Sequence, residues 1–193
     1  MISSLILNIY TLSEVIIKRI LGGFSTLPTL TDWLNAIILV LVYAVIALPL
    51  GFWLNFLKFD PQVSRRIAIK IMTTSLITPA ILEELFFRVI LLPQVSENSN
   101  FKIIVTQSTV SLLLFVIYHP LNAITFFPAG RDTFFNPVFL FLATLLGLIC
   151  TPSYLQSGSI WIPAIVHWLT VVICLLYLGG MKKLSFINLD LKQ

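Results

Sequence analysis

Two adjacent glutamates, Glu83 and Glu84, stand with Arg88 inside the hydrophobic run Ile81–Leu92. The chain has two histidines, His119 and His167, each in a different hydrophobic run. Ionisable side chains are costly in hydrocarbon, and where they occur they usually mark a site. One free carboxylate and two imidazoles permit two chemistries, both hydrolytic. In the first, the carboxylate is a general base on water, one imidazole orients that water and the other hydrogen-bonds a developing oxyanion. In the second, Glu83, His119 and His167 ligate zinc and leave a fourth position for water. No HExxH motif is present, so any zinc site has to be assembled from separate helices.

The spacing separates the two glutamates. On a helix Glu84 and Arg88 are i, i+4 neighbours on one face, and their pairing keeps both ionised in a low dielectric. Glu83 is about 100° round the helix and points elsewhere. A single intramembrane histidine is more often an interhelical hydrogen-bonder than a catalyst. Here both histidines of the chain share membrane depth with the only intramembrane carboxylates, which shifts the balance towards a site. His119 closes the run Phe115–His119 and is followed by Pro120, so the helix is expected to bend or break there.

These groups need elements to position them, and composition says which. Of 193 residues 58% are hydrophobic and 10% charged, against about 25% charged in a soluble domain. The mean hydropathy is +1.00. The fold class expected is all-α, a polytopic transmembrane bundle of about five to six spans with kinked or broken helices around a polar cavity. Apolar stretches at 33–57, 67–92, 103–127, 137–150 and 159–179 are candidate spans, the fourth being short unless it runs on towards Leu155. Only 67–92 carries charge. Residues 2–17 read as an amphipathic or interfacial helix, since Glu14 interrupts them and no signal-peptide cleavage site stands out. The expected organisation is an N-terminal segment 1–32, a membrane bundle 33–179 and a short polar tail 180–193. The net charge of +4 resides in short loops and the tail, as at Lys58, Arg65, Arg66, Lys182 and Lys183. That is membrane topology bias, and it excludes a nucleic-acid face. Cys150 and Cys174 lack CxxC spacing and read as buried bystanders.

At the chemical residues the chain resembles the CPBP family of intramembrane proteases, which includes CAAX prenyl endopeptidases and bacteriocin-processing or immunity (Abi-type) proteins. The family motif EExxxR is matched by Glu83, Glu84 and Arg88, and FxxxH by Phe115 and His119. A third motif, histidine followed four residues later by asparagine, is matched by His167 but has Val171 at the second position. The resemblance covers about residues 79–179. It implies a helical membrane core around a water-accessible cavity, with Glu83 as the water-activating base, His119 its partner and His167 an oxyanion donor. Asn122 and Thr170 are candidates to replace the missing asparagine. The implied partners are membrane lipid and a peptide or protein substrate in or at a plasma or thylakoid-like membrane. The reaction class is carried over, and a prenylated substrate is not. The alternative is an inactive member that binds a partner for immunity or scaffolding, with Val171 marking decayed catalysis. A proton relay through Glu and His ranks below both, because no second span carries a carboxylate.

Overall fold

A computed structural model describes residues 2–61, 64–97 and 99–184, and for residues 2–11 the backbone alone. Among these residues every regular element is helical. Helix α1 (Ile2–Ser25) extends past the expected 2–17 and takes in Lys18 and Arg19. Helix α2 (Leu30–Trp53) opens on a capping box, in which Thr29 accepts from the Asp32 amide and Asp32 accepts from the Thr29 amide. The apolar run continues to Leu57, but the helix does not. Asn55 adopts φ 55°, and the amides of Phe56 and Leu57 both return to the Gly51 carbonyl. Asparagine tolerates that left-handed conformation. A Cβ at Gly51 would lie 2.5 Å from the Leu57 side chain, so glycine is what lets the chain fold back.

The charged span is divided. Helix α3 (Arg65–Ser75) is capped by Ser64, and a π-helical turn, Leu76–Ile81, follows. Thr78 leaves helical geometry at φ −126°, ψ 113°. Pro79 comes next, and a residue before proline is pushed out of the α region. The break therefore falls one turn before the glutamates. Helix α4 (Leu82–Glu84) then carries the glutamate pair into a second π-helical segment, Leu85–Ile90, which holds Arg88. π-bulges of this kind recur at functional sites.

Helix α5 (Phe101–Thr125) is capped by Asn100 and runs on through Pro120, so of the bend or break expected there the break is absent. A proline inside a membrane helix is tolerated where neighbouring groups satisfy the freed backbone. A short α6 (Arg131–Phe134) leads to α7 (Pro137–Ser157), so the fourth apolar run does continue beyond residue 150. Gly158, at φ 65°, ends α7. Helix α8 (Trp161–Tyr177) follows. A last turn, α9 (Gly180–Lys183), buries Met181 against Ile71 and Leu175, so residues 180–184 pack back onto the bundle. The rest of the expected polar tail, 185–193, lies outside the described residues.

Helix α7 is the hub and packs against α2, α5 and α8. Its small and apolar positions, Leu142, Ala143, Leu146 and Cys150 among them, are buried. The outer faces are inverted relative to a water-soluble protein. Leu34, Ile37, Ile38, Leu41 and Val45 on α2 are exposed, whereas Glu83, Glu84, Arg88, His119 and His167 are buried. Large exposed apolar surface over a polar interior is what a hydrocarbon solvent selects. Helices α2, α5 and α7 are long and apolar enough to cross a membrane, and α8 is equally apolar at 17 residues. This is a membrane protein built as a helical bundle. Both cysteines are free.

Candidate active site

The site grows from α4. Glu84 is fully buried, and its two oxygens face different partners. Oε2 lies 3.2 Å from Arg88 Nε, and Oε1 accepts from His167 Nδ1 at 2.7 Å. The first contact is an ion pair without good hydrogen-bond alignment, and the second is a short hydrogen bond. His167 Nε2 then lies 3.9 Å from Glu83 Oε2. The imidazole of α8 is thus held between the two carboxylates of α4. The i, i+4 pairing of Glu84 and Arg88 is as expected from spacing, but Glu84 also orients His167.

His119 arrives from α5 and faces the same cluster across Phe115. The Phe115 ring meets His119 at 4.9 Å and His167 at 5.9 Å, both edge-on. The Arg88 guanidinium sits 4.4 Å from the centroid of that ring. Phe115 therefore touches both histidines and the arginine of the motif set. His119 Nδ1 lies 2.8 Å from the Phe115 carbonyl. A carbonyl only accepts, so Nδ1 carries the proton and a neutral His119 presents a lone pair at Nε2. The same logic applies to His167. Its Nδ1–H donates to Glu84, so Nε2 donates only when the ring is an imidazolium.

Several supporting residues escaped the sequence reading. Phe134 and Phe139 pack edge-on to His119 at 5.7 and 5.2 Å. Ser111 donates to the Phe87 carbonyl inside the π-helical segment. Gly147 lies under Arg88, whose Nη2 reaches the Gly147 carbonyl at 3.4 Å. A Cβ there would come within 3.2 Å of Nη2. Ser111 lies one turn before Phe115 on α5, and that spacing is a signal that could have been used. Nothing local marks Gly147, Phe134 or Phe139.

Not every candidate joins the cluster. The Thr170 hydroxyl donates to the Val166 carbonyl at 2.9 Å, within its own helix. Val171 packs against the apolar cluster around Ile71 and Val172. Asn122 is half-buried one turn past His119, and its carbonyl caps the end of α5 by accepting from Phe126 and Phe127. An open groove between α2 and α7, lined by Ile46, Pro49, Leu50, Trp53 and Phe141, is apolar and includes none of the site residues.

The model of the Rce1-like family, described as type II CAAX prenyl endopeptidase, matches residues 65–173, more than half of the chain. This chain belongs to the Rce1-like family. The matched region starts with α3 and ends within α8, so it contains Glu83, Glu84, Arg88, Phe115, His119 and His167. Helices α1 and α2 lie outside it. No curated protein and no solved structure matches the chain significantly. The Rce1-like fold is that of a CAAX-type intramembrane protease, and the family acts on membrane-associated peptide substrates. Among the described residues no three His, Cys, Asp or Glu side chains are grouped as a metal needs.

Proposed function

We propose that this protein is an endopeptidase that hydrolyses a peptide bond of a membrane-associated substrate with a water activated by Glu83 and His119. The observation that carries this reading is His167 bracketed by Glu84 at 2.7 Å and Glu83 at 3.9 Å, which ties α8 to α4. Glu83 Oε2 accepts no hydrogen bond from the described residues, which leaves it available to a water. The Nε2 lone pair of His119 is the second acceptor for that water.

In this reaction the water oxygen attacks the scissile carbonyl carbon, and its proton passes to Glu83, with His119 orienting the water. His167, as an imidazolium stabilised by Glu84, donates Nε2–H to the oxyanion. Collapse of the tetrahedral intermediate breaks the C–N bond, and the amine leaves with the proton from Glu83. With Arg88 positive and Glu84 negative, one proton shared between Glu83 and His167 makes the set neutral, as a buried cluster requires. Val171 supplies no second oxyanion donor, so His167 bears that task with whatever the substrate or Asn122 adds.

The bundle is multi-pass in this reading. The crossings are α2, the broken stretch from α3 to Ile90, α5, α7 and α8, with residues 1–32 as an interfacial segment. The membrane is a plasma or thylakoid-like one. The family description makes a prenylated CAAX C-terminus the first substrate to test.

The test is cleavage of an internally quenched prenylated CAAX peptide, and of its unprenylated form, by purified protein in liposomes. Glu83→Ala, His119→Ala and His167→Ala should each lower kcat by about 10²–10⁴-fold, the usual share of general acid–base catalysis. Insertion should be unchanged. Full activity in all three variants would overturn the assignment. Metal analysis and chelator treatment of the same preparation test the metal-free step.

A further inference from the structure

The C-terminal half of α1 lies outside the family-matched residues, yet it contacts the π-helical segment that continues from α4 and the start of α8, the helix of His167. Arg19 is its centre. Nε and Nη2 bind the two oxygens of Glu97 at 2.7 and 2.8 Å, and Nη1 donates to the Ile90 carbonyl at 2.7 Å. A bidentate Arg–carboxylate fork of this kind fixes direction as well as distance. Ile90 ends the π-helical segment that holds Arg88. Gln94 closes the loop by donating to the Arg19 carbonyl at 3.3 Å.

The next turn of α1 reaches α8. The Ile160 amide donates to the Gly23 carbonyl at 2.9 Å, and Trp161 Nε1 donates to the Phe24 carbonyl at 3.1 Å. The Phe24 and Trp161 rings meet edge-on at 5.7 Å. Both contacts lie at the start of α8, two turns before His167. Approach is close because Gly23 has no side chain, since a Cβ there would stand 3.0 Å from Val89. Beneath the clasp, Ile20 and Phe24 pack on a cluster of Val89, Leu92, Tyr154, Ile160 and Ala164, which draws from the π-helical segment, α7 and α8.

We propose that Arg19 is a positioning residue. By locking α1 onto Ile90 and Glu97, it sets the approach of α4 to α8 and so the spacing of Glu83 and His167. The proposal rests on the endopeptidase reading only for its kinetic consequence. It rests on hydrogen bonds and packing for its structural one.

The experiment uses the full chain in liposomes and compares wild type with Arg19→Gln, Glu97→Gln and Arg19→Lys. The control is Lys182→Gln, which removes an ion pair to Asp60 at the opposite end of α8. Amide hydrogen exchange reads local opening. In Arg19→Gln and Glu97→Gln, exchange should rise about tenfold or more over Leu85–Leu92 and Ile160–Ala164, as loss of charged hydrogen bonds implies. The rest of the chain should stay as in wild type. On the prenylated CAAX peptide, kcat should fall about tenfold on the same grounds, with KM unchanged. Arg19→Lys should recover part of the loss, and Lys182→Gln should show none. Unchanged exchange in both segments overturns the proposal, as does a uniform rise along the chain, which marks global loosening. A local rise with wild-type kcat also overturns it. If the wild type cleaves neither peptide, the endopeptidase reading fails. Exchange then decides the clasp alone, a rise confined to the two segments upholding it and any other pattern sinking it.

Discussion

Glu84→Gln tests the central pairing most directly. The substitution keeps shape and removes one charge. Arg88 then remains fully buried, with the Gly147 carbonyl at 3.4 Å and the Phe115 face at 4.4 Å as its remaining contacts. Removing one partner of a buried ion pair costs about 3–5 kcal/mol. Retention of the cation–π contact offsets up to about 2 kcal/mol of electrostatic loss at a desolvated site. A net loss of about 1–5 kcal/mol is expected on these two grounds. The side-chain amide oxygen of the variant can still accept from His167 Nδ1, so the tautomer survives while the imidazolium loses its counter-charge. Adding Arg88→Met removes the stranded cation, and replacing a whole buried pair by apolar groups is often neutral. The double variant should therefore be more stable than Glu84→Gln alone. The assay is reversible unfolding in mixed detergent, followed by the fluorescence of the four tryptophans, Trp33 and Trp53 on α2 and Trp161 and Trp168 on α8. A loss under about 1 kcal/mol for Glu84→Gln, the level of an exposed pair, refutes the reasoning. So does strict additivity of the two substitutions, because residues in one network must couple.

Other outcomes follow from neighbouring groups. Gly147→Ala places a Cβ 2.5 Å from Leu112 Cδ1 and 3.2 Å from Arg88 Nη2, and overpacking of this kind should cost about 1–3 kcal/mol in the same unfolding assay. Ser111→Ala removes the buried hydroxyl that donates to the Phe87 carbonyl in the π-helical segment, a loss of about 1–3 kcal/mol by detergent unfolding. The clasp should also depend on pH. The Arg19 hydrogen bonds hold the Glu97 carboxyl below its ordinary value of 4.5. A carboxyl depressed on folding stabilises above its unfolded value, and that contribution disappears as pH falls through the lower folded one. Protection over Leu85–Leu92, with the intrinsic pH dependence of amide exchange divided out, should accordingly fall on acidification below about 4.5 in wild type and stay flat in Glu97→Gln.

Much of the fold was legible because membrane helices write themselves in long apolar runs. The runs at 33–57, 103–127 and 137–150 correspond to α2, α5 and α7, and 159–179 to α8. The errors have local causes. Proline is a strong sequence signal for a break, yet Pro120 sits within a continuous α5, while the break occurs at Thr78, ahead of Pro79. The two cases differ in the backbone geometry of the preceding residue, which depends on packing rather than on residue type. The 33–57 run overstated α2 because hydropathy cannot see the turn at Asn55.

The sequence by itself determined the chemistry on offer. Glu83, Glu84, Arg88, His119 and His167 could be named from residue type, spacing and the cost of burying charge, and Phe115 from the resemblance to the FxxxH motif. The i, i+4 pairing of Glu84 with Arg88 follows from helix pitch alone. Only the tertiary structure decided how these groups combine. Glu84 and His167 stand 83 positions apart, and no periodicity within one helix relates them. Their contact depends on how α8 packs against α4, and Arg19 enters from a helix outside the matched family region for the same reason. Which nitrogen carries the proton is a tertiary fact for one imidazole and a local one for the other. For His167 it is set by the Glu84 carboxylate, which packing brings from another helix, whereas for His119 the Phe115 carbonyl one turn earlier in the same helix sets it.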